Sequence, residues 1–307
     1  MIKDLVSVII PVYGNGEYLE RAVESALNQT YSPIEVVVVD DNGLNTDNQL
    51  QIAQIMKKYE NSPNVKYVCH EVNKNGSAAR NTGVKNSEGE YIALLDDDDA
   101  FNPEKIEKQV DVLRSLGPEY ALTYCSIEVY KDNEKEYEGH VYMDGFLLEE
   151  LLRNMVEIST PTLVIRISAY EHIGGFDESF RRHQDWEFLA RLAYEFKFKS
   201  VDYVGFRRYY THRNNARDAE TAKKFREHYL NKMMPYIQTL DRSAQKDIII
   251  YNRLNVAFEF YRFKGFKAFW KEYRAIKPGI IGIKFVFKKF FVSVKRMAKG
   301  EKLRRIA

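Results

Sequence analysis

Residues 36–43 read Val-Val-Val-Val-Asp-Asp-Asn-Gly, an unbroken apolar run that ends in two acids and a turn. A strand that is apolar at every position is buried on both faces, which is typical of a parallel sheet covered by helices. A turn alone accounts for Asn42, Gly43 and one aspartate. Ligands bind at the carboxyl ends of such strands, so Asp40 and Asp41 are also candidates for hydrogen bonds to a base or a ribose.

Short β-branched runs alternate with helical patterns on both sides of this stretch. The predicted strands are Leu5–Ile10, Ile34–Val39, Val65–Cys69 and Tyr91–Leu95, and the predicted helices are Tyr18–Asn28, Asp47–Tyr59, Ser77–Lys85 and Pro103–Leu116. Later segments predict a hairpin of Tyr120–Tyr130 and Lys135–Tyr142, a strand Thr162–Ile167, a helix from about Asp185 to Phe196 and a strand Phe198–Tyr210. This order predicts an α/β domain with a mixed sheet over residues 1–215 and a helical region over 216–307.

Composition excludes several classes of protein. Of the 307 residues 45% are hydrophobic and 29% are charged, which is ordinary globular usage rather than that of a disordered chain. Two cysteines, Cys69 and Cys125, cannot form a disulfide framework and fit a reducing compartment. The N-terminal apolar run stops at Pro11 without a small-residue cleavage site, which indicates a buried strand and predicts a cytoplasmic location.

The charge is divided unevenly along the chain. From Arg262 onward there are 15 Lys and Arg against 2 Asp and Glu, whereas the preceding residues contain 31 and 42. Two sets recur at helical spacing in this tail: Phe263, Phe266, Trp270 and Tyr273, and Lys264, Lys267, Lys271 and Arg274. A second apolar set contains Ile283, Phe287, Phe290, Phe291 and Val294.

Adjacent apolar and basic stripes predict a helix that lies on an anionic membrane surface. The most apolar segment, Ile280 to Val294, contains Lys284, Lys288 and Lys289 and is shorter than the ~20 apolar residues that cross a bilayer. The alternative to membrane binding is that the aromatic stripe packs on the rest of the chain. Nucleic acid is disfavoured as a partner, because no recognisable nucleic-acid-binding fold surrounds the basic residues.

Four consecutive carboxylates, Asp96 to Asp99, follow the strand Tyr91–Leu95. Like charges in such a run repel each other unless a cation compensates them. Alternate residues of an extended segment face one way, so Asp96 and Asp98 can offer oxygens to one Mg²⁺ or Mn²⁺ ion. Helix capping is the alternative, although Asn102 and Pro103 already supply an N-cap and a first-turn proline for the next helix.

Five segments taken together resemble the family 2 glycosyltransferases of the GT-A fold. They are Val8-Ile9-Ile10-Pro11-Val12-Tyr13, Val38-Val39-Asp40-Asp41, Asn75-Gly76-Ser77-Ala78-Ala79-Arg80-Asn81-Thr82-Gly83, Gly89 to Asp99, and Gln184-Asp185-Trp186-Glu187. The resemblance spans about residues 4–212 with the segments in order. It implies a Rossmann-like nucleotide-binding mixed sheet flanked by helices, followed here by a basic helical extension.

The resemblance also implies an activity. Such enzymes move a hexosyl group from a nucleotide sugar, here expected to be UDP-linked, to a hydroxyl group with inversion and with Mg²⁺ or Mn²⁺ as cofactor. The expected acceptor is a surface glycan or its polyprenyl-linked precursor. Together with the tail, this predicts a peripheral protein on the inner face of the cell membrane.

Site residues follow from the same resemblance. It assigns Pro11, Tyr13, Asp40 and Asp41 to the base and ribose, Arg80 to the base and diphosphate, and Asp96 and Asp98 to the metal, with Asp98 the first choice. Asp97 is assigned to the nucleotide, and it is also a possible replacement for either metal ligand.

Two further site residues each have a structural role as an alternative. Asp185 matches the general base, next to Gln184 where many relatives have Glu, and its alternative is a helix N-cap. His212 matches a residue that reaches the metal or the diphosphate in some relatives, and its alternative is a structural histidine. Gly174-Gly175-Phe176-Asp177 resembles an acceptor-side turn, and it also fits a plain turn.

Two other functions compete with this hypothesis. The first is a non-catalytic nucleotide-sugar or membrane-binding module with the same fold, against which the intact Asp98 and Asp185 argue. The second is a sugar-1-phosphate nucleotidyltransferase, which requires a glycine-rich, arginine-containing loop after the first strand. That loop is missing, and Pro11-Val12-Tyr13-Gly14-Asn15-Gly16 stands in its place.

Overall fold

The chain divides into two compact units in the computed structural model, which describes residues 1–132, 134–140, 142–156, 158–210 and 218–287. The first unit is Met1–Leu148 with Glu157–His212, and the second is Glu149–Val156 with Arg213–Ala307. No helix among the described residues is long and apolar enough to cross a membrane.

One mixed sheet organises the first unit. Its strands among the described residues are β1 (Ile2–Val12), β2 (Ile34–Asp40), β3 (Val65–Cys69), β4 (Gly89–Leu94), β5 (Ala100–Phe101), β6 (Tyr120–Lys131), β7 (Glu134–Gly139), β8 (Leu163–Arg166) and β9 (Lys197–Tyr209). They lie in the order β3-β2-β1-β4-β8-β6-β9-β5, with β7 paired to β6. Strands β1 to β4 are mutually parallel, and β8 runs antiparallel to β4 and β6. The predicted mixed sheet and the β6–β7 hairpin are confirmed.

Helices flank the sheet and form the core of the second unit. The first unit contains α1 (Leu19–Leu27), α2 (Asp47–Met56), α3 (Gly76–Lys85), α4 (Lys105–Arg114), α6 (Ile167–His172) and α7 (Gln184–Glu195), and α5 (Leu148–Leu152) lies at the boundary. The second contains α8 (Ala219–Ile237), α9 (Arg242–Lys264) and α10 (Phe266–Ile276).

Both faces of the central strands are covered, as the Val36–Val39 run predicts. All four valines are fully buried. Val36 and Val38 belong to the core cluster that contains Leu19 and Val23 of α1. On the other face α3 approaches closely at Gly83, where a Cβ would lie 2.2 Å from Ile9 Cγ2 and 3.3 Å from Val39 Cγ2. This close approach places α3 against the sheet and orients the side chains at its N-terminus.

The helix predicted at Pro103–Leu116 begins later than expected. It starts at Lys105 with Glu104 at the N-cap, and no side chain caps it. The Asn102 side chain instead donates to Val204 O (2.6 Å) and Glu128 Oε1 (3.2 Å), both distant in sequence. The prediction that Asn102 is an N-cap is therefore wrong, because its amide is used to join β6 and β9 to the residues before α4.

A buried polar network holds the second unit together. Asn252 of α9 donates to Leu152 O (2.8 Å) and accepts from Arg226 Nη1 of α8 (2.8 Å). Arg153 forms an ion pair with Asp247 at 2.9 Å. The N-terminus of α9 is capped by Asp241, whose carboxylate accepts from Ser243 N and Ala244 N.

Lys105 is a charged residue in the core of the first unit. Its side chain is fully buried, and its Nζ donates to Leu163 O (3.2 Å) and lies 4.2 Å from the centre of the Phe101 ring. Burial lowers the pKa of the Lys105 ammonium to about 8. The folded state therefore disfavours the charged form relative to the unfolded chain.

We predict that Lys105→Met stabilises the protein at pH 7 by on the order of 3 kcal/mol, the linkage equivalent of this pKa difference. The pKa is depressed on folding, so the stability of the wild type rises between about pH 8 and the ordinary lysine pKa near 10.5. The advantage of the variant should shrink over that interval. Urea unfolding across this pH range measures it, with Lys108→Met as the partly exposed control on the same helix. A variant less stable than wild type at pH 7 would contradict the prediction.

Candidate functional site

An acidic turn follows β4 at the carboxyl edge of the parallel strands. The carboxylates of Asp97 and Asp99 are buried, whereas Asp96 and Asp98 are partly exposed, so the two faces of the turn differ. Asp99 N donates to Asp96 O at 3.2 Å and closes the turn. None of the four caps α4, whose N-cap is Glu104. The partly exposed side chains of Asp96 and Asp98 are therefore the ones that a ligand can reach.

Asp99 ties this turn to the end of β9. Its Oδ1 accepts from Tyr209 N at 2.8 Å. Burial and the neighbouring charges of Asp96 and Asp98 raise the pKa of Asp99 to about 8. Burial is the larger cause of the raised pKa, and the charges of Asp96 and Asp98 add to it.

Arg21 of α1 holds the same turn from the other side, a role that the sequence did not predict. Its guanidinium donates to the Asp98 main-chain oxygen. It also lies 3.8 Å from the ring centre of Tyr209 and 4.9 Å from that of Tyr18. Arg21 therefore fixes the backbone of the residue expected to contact the metal.

Arg80 joins α3 to the acidic turn. Its Nη2 donates to Asp96 Oδ1 at 2.7 Å and its Nη1 to Gly76 O at 3.3 Å. The side chain is 7% exposed, and its buried Nε has no hydrogen-bond partner among the described residues. One donor of a buried guanidinium is thus left unsatisfied beside the aspartates.

Three polar side chains, at the N-cap of α3 and within the helix, hold the segment that precedes α7. Asn75 Nδ2 donates to Glu178 O (2.9 Å) and Ser77 Oγ donates to Phe180 O (3.2 Å). Asn81 donates to Phe176 O and accepts from Phe176 N, both at 2.9 Å. This scaffolding role of the Asn75–Gly83 motif was not predicted, because each bond crosses about 95 to 103 positions in the sequence.

Gly76 permits a close approach between α3 and the start of α7. A Cβ at this position would lie 3.1 Å from Arg80 Nη1 and 3.2 Å from Gln184 Nε2. Asp185, the next residue, is therefore near Arg80 and within the field of Asp96, both of which influence its ionisation.

Asp185 is not the N-cap of α7. The cap position is His183, which has a left-handed backbone (φ 57°), and the helix starts at Gln184. Burial raises the pKa of Asp185, opposed by the hydrogen bond from Trp186 N and by the Arg80 charge. A carboxylate with a raised pKa in a polar site is a candidate for proton transfer.

Asp40 and Asp41 are buried, and each accepts hydrogen bonds from its own chain. Asp40 accepts from Tyr67 Oη and Asn42 N, at 2.8 and 2.9 Å. Asp41 accepts from Lys74 N and Asn75 N, at 2.7 and 2.9 Å, and its Oδ1 lies 2.7 Å from His70 Nδ1. In this structure both carboxylates shape the loops at the sheet edge.

Asn42 clamps the loop after β1 to the loop after β2. Its Nδ2 donates to Gly14 O (3.1 Å) and Asp40 Oδ1 (2.8 Å), and its Oδ1 accepts from Gly14 N (2.8 Å). Gly14 has a φ of 100°, a conformation that suits glycine. Next to it, Tyr13 is 62% exposed and Pro11 is partly buried, so the Tyr13 ring is open to a ligand.

Not every predicted site residue can be placed. His212 lies outside the described residues. Among the described residues no group of three or more His, Cys, Asp or Glu side chains could hold a metal ion. Among the predicted site residues that are described, the structure brings Asp96, Arg80 and Asp185 together, and Asp98 lies on the same turn as Asp96.

Comparison with known proteins identifies the family of the chain. Residues 7–174, more than half of the chain, match the model of glycosyl transferase family 2. An uncharacterized glycosyltransferase of Rickettsia typhi is 31% identical over 227 residues, which cover 71% of this chain and 65% of that protein. For four further Rickettsia glycosyltransferases the chain spans 27 to 61% of their length.

Solved structures share the fold. Staphylococcus aureus TarS, residues 1–349 in complex with UDP-GlcNAc, has a TM-score of 0.57 at 18% identity, covering 89% of this chain and 90% of that one. The mannosyltransferase PcManGT of Pyrobaculum calidifontis, in complex with GDP-Man and Mn²⁺, has a TM-score of 0.61 at 14% identity, covering 97% and 83%. The mixed sheet with flanking helices is thus the GT-A fold, and the chain belongs to glycosyl transferase family 2.

Proposed function

We propose that the chain is an inverting glycosyltransferase that moves a hexosyl group from a UDP-sugar to an acceptor hydroxyl. The observation that carries the proposal is the meeting of Asp96, Arg80 and Asp185 at one edge of the sheet, where a cation site, an anion donor and a base are all needed. The family match and the UDP-GlcNAc bound to TarS support this donor class.

Asp185 is the proposed general base. Its raised pKa suits it to take the proton of the acceptor hydroxyl as that oxygen attacks the anomeric carbon. The Trp186 N–H bonded to its carboxylate and the nearby Arg80 charge keep the carboxylate available in its ionised form. Attack on the face opposite the departing diphosphate gives inversion.

Asp96 and Asp98 are the proposed holders of Mg²⁺ or Mn²⁺, with Asp98 the first choice. Two hard carboxylate donors fit the way Mg²⁺ is bound, by one or two carboxylates plus substrate phosphates and water. When bound, such an ion neutralises negative charge that develops on the leaving group. Four consecutive acids on one turn favour a cation there, because like charges repel each other unless a cation compensates them.

The nucleotide is proposed to lie along the loops after β1 and β2, which the Asn42 side chain joins. Arg80 offers its unsatisfied Nε–H and its charge to the diphosphate, and Tyr13 offers an exposed ring to the base. The proposed nucleotide site also includes Pro11, Asp40, Asp41 and Asp97. Asp40 and Asp41 are buried, so their contribution is to hold the loops in place unless the nucleotide displaces their internal bonds.

The proposed acceptor is a surface glycan or its polyprenyl-linked precursor, met at the inner face of the cell membrane. A non-catalytic nucleotide-sugar-binding module with the same fold remains the second candidate. The two differ in turnover, since only the enzyme releases UDP repeatedly from a UDP-sugar.

We predict that Asp98→Ala removes the enhancement of UDP affinity by Mn²⁺, because it deletes one of the two exposed carboxylates of the turn. Calorimetric titration of UDP with and without Mn²⁺ measures this, with Asp111→Ala on the exposed side of α4 as the control. If both Asp98→Ala and Asp96→Ala retain the full enhancement, the metal site lies elsewhere.

We predict that Asp185→Asn slows transfer by ~10²–10⁴-fold, the usual effect of removing a general base. Asparagine has nearly the same shape and keeps an oxygen that can accept from Trp186 N, so the melting temperature should stay close to that of the wild type. UDP release from a UDP-sugar with detergent-solubilised polyprenyl-linked acceptor measures the rate. The control is Glu195→Gln at the exposed end of α7. An unchanged rate in a stable Asp185→Asn variant would rule out the base assignment.

A further inference from the structure

Exposed apolar side chains are concentrated near the end of the described chain. Of the eighteen large apolar side chains exposed among the described residues, six lie within 25 positions: Phe263, Phe266, Trp270, Ile280, Ile283 and Phe287. The other twelve are spread from Met1 to Tyr210. Single exposed apolar residues are ordinary on protein surfaces, but such a concentration marks an interaction surface.

Helix α10 has two distinct apolar faces. Phe269 is buried against α9, with ring centres 5.1 Å from Phe258 and 6.3 Å from Tyr261. Phe266 and Trp270 stack on each other at 6.1 Å and are 66% and 40% exposed. Internal packing therefore uses Phe269 and leaves the Phe266–Trp270 stack at the surface.

Residues 279–287, which are helical, repeat this arrangement. Phe285 is buried, with its ring 5.6 Å from those of Tyr251 and Phe258. Ile280, Ile283 and Phe287, spaced three and four residues apart, lie on one helix face and are 72%, 54% and 58% exposed. One aromatic ring anchors this helix to α9, while these apolar residues face outward together with the exposed Lys284.

Cations lie next to the exposed aromatic stack. Lys267, Lys271 and Arg274 are exposed on α10, and the Arg274 guanidinium is 5.3 Å from the centre of the Trp270 ring. The sequence after residue 287 adds eight Lys and Arg and one acid. Phe290, Phe291 and Val294 of the predicted stripe also lie there, outside the described residues.

We propose that these side chains form a docking face for the surface of an anionic lipid bilayer. The docking face consists of Phe263, Phe266, Trp270, Ile280, Ile283 and Phe287 with Lys267, Lys271 and Arg274. Aromatic and aliphatic side chains insert at headgroup level, and the cations contact lipid phosphates. The attachment is shallow, because no helix among the described residues is long and apolar enough to cross the membrane.

Charge favours a lipid surface over a second copy of this chain. A symmetric dimer through this face would place the same patch on both partners and bring cations of like sign together. An anionic bilayer provides both the opposite charge and an apolar interior. The proposal is independent of glycosyl transfer, since no donor, acceptor or catalytic residue takes part.

Vesicle co-sedimentation of the full chain, without nucleotide, tests the docking face. The vesicles are pure phosphatidylcholine, or phosphatidylcholine with phosphatidylglycerol at 3:1, over a salt series. The apolar variant is Ile280→Ser with Ile283→Ser and Phe287→Ser, and the charge variant is Lys267→Glu with Lys271→Glu and Arg274→Glu. The matched control replaces three exposed apolar residues of the first unit: Leu44→Ser, Leu50→Ser and Val72→Ser.

We expect the wild type to bind the anionic vesicles, more weakly as salt rises. The charge variant should bind them roughly 10²-fold more weakly, the apolar variant at least ~10-fold more weakly, and the control like the wild type. Trp emission should shift to the blue on anionic vesicles in the wild type but not in Trp270→Phe.

Several results would overturn the proposal. One is equal binding of the wild type to neutral and anionic vesicles. Another is binding as strong as that of the wild type by the folded apolar variant or the folded charge variant. The third is an absence of binding by the wild type. A dimer in analytical ultracentrifugation that the apolar variant abolishes would assign the face to a second copy instead. All variants are compared at equal helical content by circular dichroism.

Discussion

The ion pair between Arg80 and Asp96 connects the parts of the first unit that make up its site. Arg80 stands on α3, which packs on the sheet at Gly83 and holds residues 176–180 through Asn75, Ser77 and Asn81. Asp96 stands on the turn after β4. One 2.7 Å contact thus joins the sheet edge, the scaffolding helix and the segment leading to Asp185. Each of these parts is itself fixed by buried contacts, which is what a preorganised site requires.

Electrostatics explains why these parts suit a phosphorylated ligand with a cation. Asp96 forms an ion pair with Arg80, and the main-chain oxygen of Asp98 accepts from Arg21. Burial, together with the charges of Asp96 and Asp98, raises the pKa of Asp99 to about 8. Burial also raises the pKa of Asp185, and the Arg80 charge opposes that shift. A cluster of acids beside an arginine whose buried Nε has no hydrogen-bond partner among the described residues suits a cation and an anion that arrive together.

The sequence predicts those features that depend on local pattern. A buried strand is predicted at Val36–Val39 because every position is apolar. An acidic turn is predicted after β4 because four aspartates follow such a strand. The roles of Asn42, Asn102 and Arg21 depend on partners roughly 30 to 100 positions away, so no local pattern reveals them. The resemblance assigns Asp185 the role of general base, whereas its position near Asp96 depends on the bonds between α3 and residues 176–180, which only the three-dimensional structure shows.

In the basic C-terminal region, the sequence likewise predicts the helical pattern but not which side chains are buried. Helical spacing identifies one apolar stripe with Trp270 and another with Ile283, but spacing alone cannot say whether a stripe packs inward. Phe269 and Phe285, which belong to neither predicted stripe, pack against α9. Tyr273 of the first stripe is partly buried, whereas Trp270 and Ile283 remain exposed. Amphipathic helices of a small helical unit carry one apolar face for their own core, so a second such face needs a separate physical reason.

The proposed function requires that the site turns over a nucleotide sugar. Release of nucleoside diphosphate from a panel of UDP- and GDP-sugars tests this, with Mn²⁺ or with EDTA, in the presence of detergent-solubilised polyprenyl-linked acceptors. We expect multiple-turnover release of UDP from at least one UDP-sugar, dependent on both the metal and an acceptor. Stoichiometric binding of UDP-sugars without release, or release that is unaffected by EDTA, would contradict it.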